Sequence, residues 1–400
     1  MQSTVFYMIQ REEERQSKNI ELIASENFVS NNVLKALGSC LTNKYSEGYP
    51  SERSSGNKGR YYGGCQYVDE IEQYCCDKWK EVFNTDYHVN VQPHSGSQAN
   101  MAAYASVINP GDTILAMELN NGGHLTHGSK VNFSGKMYNF VFYGVDESGR
   151  IDYDDIFKKM IAYSPKLILA GASAYSRSID FVGIKDMIEF SRSMYGDFEA
   201  PLFMVDMSHI AGLVATGLHQ SPFGVADIVT TTTHKTLRGP RGGLIFCTKD
   251  GGLDKKIDSS VFPGIQGGPI QNIIAAKAIA AEEACTEEFK AYMEQVVSNA
   301  SAMANRFIDL GYDVVTGGTD NHMFLIDLTK NELTGKEVQD ELDKHLITVN
   351  KNCVPNEKRS PTQTSGIRIG TPAMTTRGYR EKDFCDVADK IDNIIKEMKK

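Results

Sequence analysis

The sequence lacks several features that would place a protein in a class at once. Its eight cysteines form no C-x-x-C pair and show no disulfide-like spacing, in a chain of 400 residues that is too long to need such cross-links. No apolar run approaches the length of a membrane span, and the opening stretch MQSTVFYMIQREEERQ has no uninterrupted apolar core of a signal peptide. These absences predict reduced thiols, a cytoplasmic location and no membrane partner.

Positive charge is also scarce. The chain has 42 Lys and Arg residues against 51 Asp and Glu residues, which gives a formal net charge of -9. A surface that binds nucleic acid carries an excess of positive charge, so nucleic acid is not an expected partner. A local basic pocket for a small anion stays compatible with this balance.

Short apolar segments alternate with helical patterns along most of the chain. TILAM, KLILA, PLFMVD, DIVTTTT and LIFCT are typical of strands, and IKDMIEFSRSMY is typical of a helix. This alternation predicts an α/β fold, with β-α-β units around a mostly parallel sheet. The later strands YDVVTG and MFLIDL, with two further helices, predict a smaller α+β domain. The predicted division is an N-terminal arm over 1–26, a large domain over 27–284 and a small C-terminal domain over 285–400.

The stretch TTTTHKTLRGPRGG, residues 230–243, places a lysine directly after a strand pattern. Four threonines favour an extended chain, and the run rich in Gly and Pro cannot continue it, so Lys235 is expected near a strand end. Ligands collect at the ends of strands in α/β proteins, whereas most lysines are solvent-exposed. Both interpretations, a functional amine and an exposed lysine, stay open at this point.

Two other segments carry candidate binding groups. SGSQAN, residues 95–100, opens a helix with small hydroxyl residues and a glycine, which suits a phosphate but is equally typical of a capping turn. Asp206 ends the apolar strand in FMVDMSHIAGL, and His209 follows it. A carboxylate at a buried strand end needs a cation or hydrogen bonds, although Asp206 could also cap the following helix.

The segment GGHLTHG contributes His124 and His127. Their His-x-x-His spacing occurs in some metal sites, but no cysteine or carboxylate follows at a ligand-like interval, so no metal is expected. A histidine flanked by glycines can instead lie flat on a planar ligand, and His127 could also be an ordinary loop histidine.

Together these features match the needs of pyridoxal 5'-phosphate. Its aldehyde forms a Schiff base with a lysine, and a carboxylate keeps the ring nitrogen protonated so that the ring can accept electrons. A stacking side chain holds the ring, and N–H groups at a helix start hold the phosphate.

Many segments, in order, also resemble one family of enzymes that use this cofactor. The chain is similar to the serine hydroxymethyltransferases over most of its length, in IELIASEN, LTNKYSEGYP, RYYGG, NVQPHSGSQAN, GGHLTHG, VNFSGK, VDMSHIAGLV, TTTTHKTLRGPRGG, FPGIQGGP, GGTDNH, TVNKN and SGIRIGTPA.

The resemblance implies a fold and an activity. The fold would be that of fold type I pyridoxal-phosphate enzymes, with a mostly parallel seven-stranded sheet flanked by helices, an N-terminal helical arm and a smaller C-terminal α+β domain. The activity would convert L-serine and tetrahydrofolate to glycine and 5,10-methylenetetrahydrofolate through a quinonoid intermediate, in a homodimer with shared active sites. The nearest alternative is a folate-independent aldolase that acts on threonine or other β-hydroxy amino acids. A binding protein that has kept only the fold is the other.

The resemblance also assigns the cofactor site. Lys235 would form the Schiff base, Asp206 would pair with the pyridine nitrogen, and His124 would stack on the ring. Other groups would contact the phenolic oxygen, the phosphate from one subunit or the phosphate from the neighbour. His209 and Ser173 would lie near the phenolic oxygen, and His234 would also bind the cofactor. The phosphate would be held by Ser95, Gly96 and Ser97 from one subunit and by Tyr45 and Gly268 from the neighbour.

For the substrates, the resemblance implies that Arg368 binds the amino-acid carboxylate with two hydrogen bonds, assisted by Ser25. An arginine fits this role because its planar fork matches two carboxylate oxygens. Glu47 and Tyr62 would act in catalysis. The hydroxymethyl and folate side would be lined by Glu47, Tyr62, Leu119, Gly123 and Asn352.

The chain departs from the family pattern in three places. The segment between YP and RYYGG, Ser51–Arg60, is longer than in the bacterial pattern, and Arg177 stands where a small residue is usual. The sequence also stops soon after its last helical pattern. These departures are expected to bear on subunit packing and folate affinity.

Overall fold

A computed structural model describes residues 3–50, 59–194 and 199–400. The departure at Ser51–Arg60 therefore lies outside the described residues, except for Gly59 and Arg60. No helix in these ranges is both long enough and apolar enough to cross a membrane.

The helices are numbered in chain order. Many begin at a side chain that accepts a hydrogen bond from the first turn, such as Thr286 before α11 and Thr334 before α12. The helices are α1 Thr4–Lys18, α2 Asn31–Leu37, α3 Gln66–Phe83, α4 Gly96–Val107, α5 Phe133–Met137, α6 Tyr153–Tyr163, α7 Phe181–Met194, α8 Ala211–Ala215, α9 Leu253–Ser259, α10 Gln271–Ala284, α11 Glu287–Asp309, α12 Gly335–Lys344, α13 Pro372–Thr376 and α14 Glu381–Met398.

The strands are short and mostly apolar. Several in the middle of the chain are buried along their whole length, as strands of a sheet covered on both faces are. The strands are β1 Ile20–Glu21, β2 His88–Asn90, β3 Thr113–Met117, β4 Asn139–Tyr143, β5 Leu167–Ala170, β6 Leu202–Asp206, β7 Ile228–Thr232, β8 Gly243–Cys247, β9 Asp313–Val314, β10 Met323–Asp327, β11 Ile347–Thr348, β12 Asn350–Asn352 and β13 Gly366–Gly370.

The largest sheet has seven strands in the order β2-β8-β7-β6-β5-β3-β4. Neighbouring strands from β7 to β4 are parallel, and β8 runs antiparallel to both β7 and β2. Helices pack on both faces of this sheet, with α3, α7 and α10 on one side and α4 and α9 on the other. The predicted α/β fold with a mostly parallel seven-stranded sheet is confirmed.

A second, antiparallel sheet has the order β12-β13-β10-β9. It packs against α11, α12 and α14 around a separate apolar cluster that includes Phe307, Phe324 and Phe384. The strand predicted over YDVVTG is shorter than expected, because Thr316 and Gly317 adopt left-handed backbone conformations and end it after Val314. The domain boundaries at 26 and 284 stay predictions.

Arg177, one of the departures from the family pattern, links the loop after β5 to the segment between β9 and β10. Its Nε donates to Thr316 Oγ1 at 3.0 Å, its Nη2 to the Thr316 carbonyl at 2.8 Å, and its Nη1 to Asp320 Oδ1 at 2.7 Å. The Arg177 side chain is largely buried, so the chain has built a contact here that a small residue cannot make.

We therefore expect Arg177→Ala to lower the free energy of unfolding by about 1–3 kcal/mol, because the hydrogen bonds from the Arg177 guanidinium to Thr316 and Asp320 are lost. Urea unfolding followed by circular dichroism measures this difference. The exposed Arg192, at the end of α7, provides the control: Arg192→Ala should change the free energy of unfolding by less than about 0.5 kcal/mol. Equal free energies of unfolding for the two variants would contradict a stabilising role of the Arg177 hydrogen bonds.

Candidate active site

A cavity of about 500 Å³ lies at the carboxyl ends of the parallel strands, where the loops after β5, β6 and β7 meet the start of α4. It is lined by Ser25, His94, Ser95, Gly96, Ser97, His124, His127, Ala172, Ser173, Asp206, Ser208, His209, Thr232, His234, Lys235, Arg241, Gly242 and Arg368. Eleven of the eighteen predicted site residues are in this set.

Lys235 follows the end of β7 by three residues and is 8% exposed. The interpretation as a solvent-exposed lysine is therefore wrong. Burial lowers the pKa of Lys235 to about 8; the Asp206 carboxylate opposes this shift, and the Arg368 and Arg241 cations add to it. The neutral, nucleophilic fraction of the Lys235 amine near neutral pH is thus far larger than that of an exposed lysine.

Asp206 is the last residue of β6 and is buried. Its carboxylate accepts hydrogen bonds from Asn100 Nδ2 at 2.8 Å and Ser208 Oγ at 2.6 Å, and it lies 3.2 Å from His127 Nε2. Burial would raise the pKa of Asp206, but the His127 hydrogen bond and nearby positive charge hold the pKa well below its usual range. Helix α8 begins only at Ala211, so the capping interpretation for Asp206 is wrong.

The start of α4 forms what we call the phosphate cradle, which consists of Ser95, Gly96 and Ser97. Ser95 caps the helix, because its hydroxyl accepts from Gln98 N at 3.3 Å, so the capping interpretation is correct. The N-terminal N–H groups of a helix remain available to an anion, and capping does not exclude phosphate binding. A Cβ on Gly96 would lie 2.6 Å from Thr232 Cγ2, so only glycine fits against β7 here.

His124 and His127 lie beside Asp206, and one ligand atom from each of the three falls within 4.8 Å of the others. A carboxylate from β6 thus lies beside the two histidines, although none follows them at a ligand-like interval in the sequence. Each group already has a hydrogen-bond partner, however: His124 Nδ1 lies 2.7 Å from Thr126 Oγ1, and His127 Nε2 contacts Asp206. Burial lowers the pKa of His124 to about 4, so its ring is neutral at pH 7.

Two further histidines stack inside the protein. His209 Nδ1 lies 3.2 Å from His322 Nε2, and their ring centroids are 5.4 Å apart. Burial lowers the pKa of His209 well below its usual value and that of His322 to about 3. Both rings are therefore neutral, and a single proton can bridge them. His234 also faces the cavity, and its buried Nδ1 has no hydrogen-bond partner among the described residues.

Arg368, on β13, is the cation of the cavity nearest the second sheet. Its Nη1 donates to the Ser173 carbonyl at 2.6 Å and its Nε to Asn350 Oδ1 at 3.1 Å. Burial lowers the pKa of Arg368 to about 10, which leaves the guanidinium charged at pH 7. Ser25 lines the same cavity. Two contacts thus fix the plane of a charged guanidinium that lines the same cavity as Lys235.

Four predicted residues lie together outside this cavity. We call Tyr45, Glu47, Tyr62 and Gly268 the exposed group. Tyr45 Oη lies 3.3 Å from Glu47 Oε1, the Tyr45 and Tyr62 rings are 5.1 Å apart, and a Cβ on Gly268 would contact the Tyr45 ring at 3.1 Å. Both tyrosine rings are substantially exposed. The chain therefore brings these residues together, but none of them is among the residues that line the cavity around its own Lys235.

The remaining three predicted residues are not among those that line the cavity, although Gly123 directly precedes His124, which is. Leu119 is exposed in the turn after β3, and Gly123 follows it with its N–H bonded to the Glu118 carbonyl at 3.0 Å. Asn352 lies on β12, where its amide donates to the carbonyl of the next residue. The asparagine that contacts Arg368 is Asn350, two positions earlier. The roles of all three stay predictions.

The sequence analysis missed several residues that shape the cavity. Asn100 holds Asp206, and His322 contacts His209, yet neither follows a recognisable strand end. Asn100 does carry a weak indication, because it is a polar residue on the buried face of α4. Arg241, six residues after Lys235 in the segment TTTTHKTLRGPRGG, also lines the cavity.

Comparison with known proteins gives one consistent result. The family model described as serine hydroxymethyltransferase matches residues 1–391. Two relatives called serine hydroxymethyltransferase 2, from Pseudomonas fluorescens and Pseudomonas putida, are each 53% identical over 394 residues, which cover 98% of this chain and 91% of the relative. The chain therefore belongs to the serine hydroxymethyltransferase family.

Proposed function

We propose that the protein binds pyridoxal 5'-phosphate and interconverts L-serine plus tetrahydrofolate with glycine plus 5,10-methylenetetrahydrofolate. The observation that carries this proposal is the pairing, in one cavity, of a buried lysine of lowered pKa with a buried carboxylate and a buried arginine. Family membership favours this transferase over the aldolase alternative.

The cavity fits a planar, phosphorylated aldehyde. The phosphate cradle would hold the phosphate, and the unpartnered Nδ1 of His234 leaves one more polar atom available to a ligand. His124 would cover the ring, and Asp206 would hold a proton on the ring nitrogen. Because hydrogen bonds already fix the Asp206 carboxylate in its ionised form, the carboxylate is ready to stabilise a positive charge.

The cofactor, when bound, supplies an aldehyde for a lysine amine and a ring that takes up the electron pair of a broken bond to the substrate α-carbon. Lys235 contributes a neutral amine as the nucleophile. Arg368 binds the substrate carboxylate, with Ser25 beside it, and thereby orients the α-carbon. The neutral pair His209 and His322 can donate one hydrogen bond into the cavity without adding charge.

The exposed group contains Glu47 but does not line the cavity of its own chain. Proton transfer to the substrate hydroxyl nevertheless requires an acid-base group within reach. We propose that Glu47 and Tyr62 of one subunit complete the site of its partner in a homodimer. The exposed apolar side chains of α1 support an assembly, because Val5, Phe6 and Met8 are each about 60% exposed. A homodimer would cover such a surface.

The shared site predicts complementation between two inactive variants. Lys235→Ala and Glu47→Gln should each have little activity alone. A hybrid dimer formed by mixing them would hold one complete site, so a 1:1 mixture that exchanges subunits at random should recover about a quarter of the activity of the unchanged protein. The measurement is turnover before and after exchange. Activity that stays at the level of the separate variants would contradict the shared site.

The lowered pKa of Lys235 predicts a specific pH dependence. Because the amine is neutral above its pKa, its labelling by pyridoxal phosphate and borohydride should rise with pH through about pH 8 and level off only at higher pH. Mass spectrometry of the Lys235 peptide measures this. Lys166 gives an internal control, since its hydrogen bond to Glu199 raises its pKa and keeps it protonated over the same range. The same pH dependence of labelling at Lys235 and Lys166 would contradict the lowered pKa of Lys235.

The activity itself is tested by measuring glycine formation from L-serine with and without tetrahydrofolate. The transferase predicts strong dependence on folate. Efficient cleavage of threonine without folate, together with slow turnover of serine, would favour the aldolase.

A further inference from the structure

Lys277 is a buried lysine that the proposed function does not use. It lies in the middle of α10, in the alanine-rich sequence QNIIAAKAIAAEEA, and is 1% exposed. Lysine is among the residues least often buried completely, because its ammonium group loses hydration. Its position therefore calls for specific compensating contacts.

Those contacts are three backbone carbonyls from two segments. Lys277 Nζ donates to the Val91 carbonyl at 2.7 Å, to the Pro93 carbonyl at 3.0 Å and to the Gly243 carbonyl at 2.9 Å. The Pro93 carbonyl also accepts from Gly243 N at 3.1 Å. One ammonium group thus connects the segment that follows β2 with the first residue of β8.

Both segments adjoin the phosphate cradle. Pro93 precedes His94, which lines the cavity, and Ser95 follows directly. A Cβ on Gly243 would lie 2.4 Å from the Ser95 carbonyl, so the start of β8 packs directly behind Ser95. The backbone that Lys277 holds is therefore the backbone on which the cradle rests.

The ammonium group itself lies just behind the cavity wall. Gly242 lines the cavity, and a Cβ built on it would come within 2.3 Å of Lys277 Cε and 3.0 Å of Nζ. The Lys277 charge affects a residue that lines the cavity. Burial lowers the pKa of His94, and the positive charge of Lys277 lowers this pKa further. An anion bound in the cradle would in turn favour the charged form of Lys277.

We propose that Lys277 is a positioning residue for the phosphate group of the cofactor, an assignment that rests on the function proposed above. Its ammonium group ties three carbonyls together behind the phosphate cradle and so fixes the backbone that presents the N–H groups of the cradle. It also places a positive charge behind the phosphate. Lys277 therefore favours binding of the phosphate group of the cofactor and does not affect binding of its aldehyde or its ring.

Equilibrium titrations of cofactor-free, full-length protein test this assignment with two probes, pyridoxal phosphate and pyridoxal, which lacks the phosphate. The variants are Lys277→Met and a matched control, Lys159→Met. Lys159 Nζ also donates to a strand carbonyl, that of Phe142 at 2.7 Å, but at the opposite edge of the same sheet. Circular dichroism checks the fold of each variant, and absorbance of the bound probe gives the dissociation constant.

We expect Lys277→Met to weaken pyridoxal phosphate binding by at least about ten-fold while pyridoxal binding stays within about two-fold, and Lys159→Met to change neither. Unchanged affinity for pyridoxal phosphate, or an equal loss for both probes, would overturn the assignment. If Lys277→Met does not fold, Lys277→Gln replaces it, because its amide keeps two donors and removes the charge; the same selective loss is expected. Failure of the unchanged protein to bind pyridoxal phosphate would instead refute the proposed function.

Discussion

Glu47→Gln should lower the rate of folate-dependent serine cleavage by about 10²–10⁴-fold, the range typical of a lost general acid-base group. Glutamine keeps the size of the side chain and can still contact the Tyr45 hydroxyl, which lies 3.3 Å from Glu47 Oε1. It cannot take up and release a proton at the substrate hydroxyl. The measurement is steady-state turnover with saturating serine and tetrahydrofolate.

The matched control is Glu70→Gln, which neutralises an exposed carboxylate on α3. It should leave turnover unchanged. Pyridoxal phosphate binding and the binding of glycine should be normal in both variants, because Glu47 is assigned to proton transfer at the substrate hydroxyl, which glycine lacks, and not to the cofactor. Near-normal turnover by Glu47→Gln would show that another group carries the proton. Loss of cofactor binding would point to a structural role at the subunit boundary.

The second large effect is expected at Arg368. Arg368→Ala removes both the charge and the planar fork, so serine affinity should fall by about 100-fold or more, which corresponds to about 2.7 kcal/mol. Arg368→Lys keeps the charge but cannot reach the Ser173 carbonyl and Asn350 and still present two parallel donors. Its loss should be smaller, at least about ten-fold.

Serine titrations that follow the spectrum of the bound cofactor measure both losses. The spectrum of the cofactor without serine should be the same in both variants, since Arg368 is assigned to the substrate and not to the cofactor. Serine affinity that is unaltered in Arg368→Ala would remove this residue from the site.

The sequence predicts the part of the site that depends on local patterns. Asp206 and Lys235 each follow an apolar or β-branched run, and parallel strands that end at one edge of a sheet bring such residues together. The small residues at 95–97 precede a helical pattern, so the cradle is also visible locally. The fold class follows from the same alternation of strands and helices.

The groups that support these residues could not be predicted in this way. Asn100 is 106 positions from Asp206, and His127 is 79 positions from it, so their hydrogen bonds depend on the order of strands in the sheet. Lys277 has the local pattern of an ordinary lysine in an alanine-rich helix. Only the packing of α10 against the sheet reveals that its ammonium group is buried.

The placement of Glu47 shows a different limit. A pattern in one chain does not state which subunit a side chain serves. The residues of the exposed group lie together, but none of them lines the cavity around Lys235. Solvent exposure of Tyr45 and Tyr62 is therefore information that only the folded chain supplies.

The central claim, transfer of one carbon from serine to folate, is tested most directly with L-serine labelled with ¹³C at its β-carbon. The labelled serine is incubated with the protein, pyridoxal phosphate and tetrahydrofolate, and the products are followed by nuclear magnetic resonance. We predict that the label appears in the methylene group of 5,10-methylenetetrahydrofolate while unlabelled glycine accumulates in equal amount. A label that stays in serine, or glycine formation at the same rate when tetrahydrofolate is left out, would contradict the account.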